Sequence, residues 1–124
     1  MKGYQDKLIA LSNNCCLAAC YLWAFEPDIS YTKLIKILGV AIEKGYISED
    51  GFVKDADKLI FLATGKKVRV LYSSINNGKT CCANFKYGAN NHWVVVDAED
   101  NIIYNPLEHS NCVENGEIVE YRIW

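Results

Sequence analysis

Residues 15–25 read CCLAACYLWAF. Wound as a helix, this stretch is apolar on every side, so no face of it suits water and the rest of the chain has to enclose it. With 124 residues the chain can build one core and bury about two-thirds of its unfolded surface, enough to fold without covalent staples. The helix stops at Glu26-Pro27-Asp28, because proline cannot continue it.

The pattern beyond this helix changes in order along the chain. YTKLIKILGVAIEKG predicts an amphipathic helix capped by Ser30, with Leu34, Ile37, Leu38, Ala41 and Ile42 on one face and Gly45 closing it. DADKLIFLATG predicts a shorter third helix that starts at Asp55 or Asp57 and ends at Gly65. Strands rich in Val, Ile, Tyr and Trp follow at 67–73, 80–86, 92–97, 101–105 and 117–123, separated by NNG, YGANN and ENG turns. No linker or repeat divides the chain, so the expectation is one α+β domain over residues 1–124, with N-terminal helices packed on a C-terminal antiparallel sheet.

Charge removes several classes of function. The formal net charge is −2, and Lys66-Lys67 is the longest basic run, so nucleic acid and anionic membrane surfaces are not expected partners. LAAC at 17–20 has the form of a lipoprotein cleavage box, but Ser12, Asn13 and Asn14 interrupt the apolar run that a signal segment needs. No stretch approaches the roughly 18 apolar residues of a membrane span, and a cytoplasmic protein is expected. The six cysteines include the vicinal pairs Cys15-Cys16 and Cys81-Cys82, and no CxxC occurs. This spacing fits neither a disulfide framework nor a metal site, so Cys20, Cys81, Cys82 and Cys112 read as small buried apolar residues; no metal and no cofactor is expected.

His92 and Asn105 stand out in NNHWVVVDAEDNIIYNP, residues 90–106. If Glu99-Asp100 form a two-residue loop, position 92 lies opposite 107 and position 94 opposite 105, which puts His92 and Asn105 on one face as diagonal neighbours. A three-residue loop would put them on opposite faces. An amide oxygen accepting from one ring nitrogen fixes the tautomer and leaves the other nitrogen free as a base. Cys15 is the candidate nucleophile: it follows Ser12-Asn13-Asn14 and opens the apolar helix, where the helix dipole and a nearby imidazole favour the thiolate. Taken singly, each residue has a plain structural use, as a buried helix cysteine, a strand histidine and a turn former before Pro106. Their joint order is the one used in thiol-based acyl transfer.

NCCLAAC near the start and HWVVVDAEDNIIYNPL much later resemble the papain-like cysteine peptidases of the bacteriocin-processing, double-glycine leader branch. That resemblance covers most of the chain. It implies a papain-like fold, with Cys15 as nucleophile, His92 as base and Asn105 as the residue that orients it. Cys16 stands where the family has glycine and is a rival nucleophile; Leu17 stands where proline is common, and Asn105 replaces a carboxylate. The family's oxyanion glutamine is expected about six residues before the nucleophile, where this chain has Ile9. Gln5, or Asn13 or Asn14 with the Cys15 backbone N–H, is then the candidate oxyanion donor. The implied activity is cleavage of a peptide or amide bond in a peptide or protein substrate through an acyl-enzyme. The alternatives are an inactive papain-like module that binds a peptide or protein, and a thiol acyltransferase or deamidase.

Overall fold

Local capping chemistry sets the helical half. The computed structural model describes residues 14–107 and 110–124, which divide into two compact units on either side of the Val68–Arg69 boundary. In the first unit α1 spans Cys16–Phe25, α2 Tyr31–Lys44 and α3 Ala56–Thr64. The Ser30 side chain accepts from the Lys33 N–H and Asp55 from the Lys58 N–H, both at 3.1 Å, so each satisfies a donor that a helix start leaves open. Gly45 and Gly65 end α2 and α3 in the left-handed conformation. Five consecutive residues of α1, from Ala18 to Leu22, are buried, so all sides of that helix are enclosed, as its composition demands. The helix packs on α3 and α2, whose own buried residues are Leu59, Ile60, Leu38 and Ala41.

In the second unit five strands form one antiparallel sheet: β1 Leu71–Ser73, β2 Cys81–Tyr87, β3 Asn90–Val96, β4 Ile102–Tyr104 and β5 Glu117–Ile123. Their order is β1-β5-β2-β3-β4. The first strand is shorter than the expected 67–73: it is an edge strand, and β5 offers it partners only for residues 71–73. A short helix that the sequence did not signal, α4 over Asn111–Asn115, precedes β5 and packs on β2 and β3. Cys81, Ala83, Val94, Val96 and Tyr121 form the core beneath it, with Phe85, Val113 and Ile118 packed against them. Taken together, the described residues make an α+β protein of four helices and a five-stranded antiparallel sheet.

The hairpin that carries His92 and Asn105 differs from expectation in two places. Asp97 and Asn101 close the turn, with the Asn101 carbonyl accepting from the Asp97 N–H at 2.9 Å, so the loop has three residues, 98–100. Its last residue, Asp100, has φ +64°, the left-handed position that such loops use. That loop alone would put the two residues on opposite faces. The strand compensates: Val96 pairs with Ile102 but Val95 pairs with Tyr104, so Ile103 is an extra, bulged residue. The two one-residue shifts cancel, and the register on the far side of the bulge is the one a two-residue loop would give.

Among the described residues no helix is long and apolar enough to cross a membrane. None of the six cysteines is in a disulfide; Cys20, Cys81, Cys82 and Cys112 are buried.

Candidate functional site

Val95 pairs with Tyr104, so the next position brings Asn105 beside Val94. Val94 and His92 share a face of β3, because alternate residues of a strand point the same way. His92 pairs with Phe85 on β2 and is only 3% exposed. Pro106 follows Asn105, which stands just past the end of β4.

His92 Nε2 and Asn105 Oδ1 are 2.7 Å apart. The same oxygen accepts from the Leu107 backbone N–H at 3.0 Å. A backbone N–H can only donate, so the atom it meets is the amide oxygen and not the amide nitrogen. His92 must then carry its proton on Nε2 when neutral. Nδ1 keeps its lone pair and is the nitrogen able to take a proton from a nucleophile. Two features thus orient the imidazole, a bulge that selects the face and a backbone donor that selects the end of the amide. Neither is signalled by the histidine strand itself.

Cys15 is the N-cap of α1 and makes no side-chain cap hydrogen bond; its carbonyl accepts from the Ala19 N–H at 2.9 Å. The helix start is where the sequence puts this thiol, and the thiol is buried there. Cys15 is 9% exposed, and desolvation pushes its thiol up to about 11, with the adjacent Cys16 raising it further and its own backbone N–H opposing. A thiol held that high keeps its proton near neutral pH.

Asn14 is exposed, and Cys16 is half-buried. Gln5, the other oxyanion candidate, lies outside the described residues, as does Asn13. Sequence reasoning missed Gly51, which lies against the backbone of Cys15. The signal available for it was the turn-forming SEDGF at 48–52, which gives a turn but not its neighbour. Among the described residues no group of three His, Cys, Asp or Glu side chains gathers to hold a metal ion.

Comparison with family models, curated proteins and solved structures finds no match to this chain.

Proposed function

We propose that this protein is a papain-like thiol hydrolase that cleaves a peptide or amide bond, with Cys15 as nucleophile, His92 as base and Asn105 orienting the base. The observation that carries the reading is the Asn105 carbonyl held between His92 Nε2 and the Leu107 N–H, which leaves Nδ1 as the basic nitrogen. In the proposed reaction His92 Nδ1 takes the Cys15 proton as the sulfur attacks the carbonyl carbon. The Cys15 backbone N–H, with Asn14 or Gln5, would hold the oxyanion. The imidazolium passes its proton to the leaving amine, and a thioester remains. Water, deprotonated by His92, then attacks the thioester, releasing the carboxylic acid and restoring the thiol. The raised Cys15 thiol favours general-base attack over a standing ion pair.

The same raised thiol supports a second reading, an inactive papain-like module that binds a peptide or protein and does not cleave it. Iodoacetamide labelling at neutral pH, mapped by mass spectrometry, separates the two. The hydrolase reading expects one-to-one labelling at Cys15, because His92 takes the thiol proton as the sulfur attacks, abolished with any peptide hydrolysis in Cys15→Ala and largely intact in Cys16→Ala. Slow, uniform labelling of all six cysteines would favour the binding module. Loss of labelling in Cys16→Ala alone would move the nucleophile by one residue.

A further inference from the structure

Residues 48–52 form a turn with an over-determined backbone. The Ser48 N–H donates to the Phe52 carbonyl at 2.8 Å, the Phe52 N–H donates to Ser48 Oγ at 3.1 Å, and the Gly51 N–H donates to the Ser48 carbonyl at 2.9 Å. An isolated bridge between Ile47 and Val53 closes the base. Within this frame Gly51 takes φ +94°, which only glycine adopts readily.

Gly51 is also enclosed. A Cβ there would stand 3.2 Å from the Cys15 nitrogen, 3.3 Å from the Asn14 carbonyl carbon and 3.3 Å from the Cys15 Cβ. Two of these three neighbours are backbone atoms of the peptide joining Asn14 to Cys15, which cannot rotate away as a flexible side chain could. The third is the atom that carries the thiol. Gly45 and Gly65, in the same unit, have φ +77° and +72°, yet an added Cβ at either meets nothing within 4 Å. Positive φ is therefore shared by all three glycines, and the contact with Cys15 distinguishes Gly51 from the other two.

We infer that Gly51 is a positioning residue for Cys15: the turn at 48–52 sets both the peptide plane at the start of α1 and the Cys15 Cβ, and so the direction of the sulfur. This inference rests on the reading of Cys15 as nucleophile, and it makes the turn a wall of that site. A Cβ at 51 would press by a few tenths of an ångström on the N–H that the reading gives to the oxyanion and on the Cβ that carries the thiol.

The test is the iodoacetamide rate constant of Cys15 in the full chain, followed by peptide mapping between pH 6 and 10, beside thermal unfolding. Gly51→Ala and Gly45→Ala both carry backbone strain, but only the first adds atoms against Cys15. We expect Gly51→Ala to change the Cys15 labelling rate about tenfold, because the added methyl shifts the thiol, and to lower any peptide hydrolysis; Gly45→Ala should keep the Cys15 rate within about twofold. Equal factors in the two variants would overturn the inference. If Gly51→Ala does not fold, Ser48→Ala replaces it, since it loosens the turn without adding an atom: a Cys15 rate shifted relative to Gly45→Ala supports the inference, and an unshifted one overturns it. Absence of hydrolysis and of selective labelling in the unaltered protein would remove the nucleophile reading but not the comparison between Gly51→Ala and Gly45→Ala, so the two failures are distinguishable.

Discussion

The Tyr121 hydroxyl donates to both carboxylate oxygens of Asp100, at 2.9 and 3.0 Å. This pair ties β5 to the tip of the hairpin that carries Asn105. Asn76 adds a bond from its side-chain nitrogen to Asp100 Oδ1 at 2.9 Å and another to the Asp97 carbonyl at 2.9 Å. Asp100 is held in a left-handed conformation that a non-glycine residue adopts at some cost, and these partners offset that cost. Tyr121→Phe should therefore destabilise the protein by about 1 kcal/mol in urea unfolding, with the far-UV circular dichroism unchanged. No change in the midpoint would mean that the tip is held by its backbone alone.

The bulge at Ile103 makes an unusual expectation about chain length. Because residue 103 is the extra one, deleting it leaves Val95 opposite Tyr104, and the bond between His92 and Asn105 should survive. Inserting one alanine between Tyr104 and Asn105 should break that bond by moving Asn105 to the other face. Nitrogen chemical shifts of the imidazole report the outcome, since the unaltered ring carries its proton on Nε2. Survival of that tautomer after the insertion would contradict the register argument.

Asn105→Ala should leave the Leu107 N–H without its acceptor and the ring without its guide. We expect a loss of about 1 kcal/mol in stability, a mixture of imidazole tautomers, and turnover lower by about one to three orders of magnitude. Asn105→Asp keeps an acceptor for both donors and should retain the single tautomer. Activity equal to that of the unaltered protein in both variants would reduce Asn105 to a turn residue. Activity that appears only in Asn105→Asp would favour the binding module.

Alkaline pH should destabilise the fold. Burial is the first cause that pushes the Cys15 thiol up to about 11, the Cys81 thiol to about 12 and the Tyr121 phenol to about 12; the Asp100 carboxylate adds to the last two. Unfolded thiols release their protons from about pH 8.5, well below the folded ones. Between these values the unfolded chain binds fewer protons, so raising the pH favours unfolding. The contribution is fully present below about pH 8.5 and is lost as the pH approaches about 11 to 12. Urea midpoints measured from pH 7 to 10 should fall steadily above pH 8.5, and less steeply in Cys81→Ala.

What depends on neighbours along the chain was legible in the sequence. Ser30 and Asp55 cap the helices they precede, Gly45 and Gly65 end them, and Pro27 stands just beyond α1, because caps and breakers act within one turn of backbone. The shared face of His92 and Asn105 was also legible, although by a loop one residue too short and a strand without its bulge; the period of two makes register easy to state and the local turn hard to foresee. Three features were decided only by tertiary structure. Gly51 meets Cys15 across more than thirty residues of chain, and no pattern in SEDGF announces that neighbour. Leu107 orients the Asn105 amide through a backbone N–H, a donor that every residue but proline carries and that sequence cannot single out. The Cys15 thiol sits at the helix start the sequence predicts, yet its proton affinity is set by desolvation, a sum over all the atoms that exclude water from it, and that sum exists only once the chain has folded.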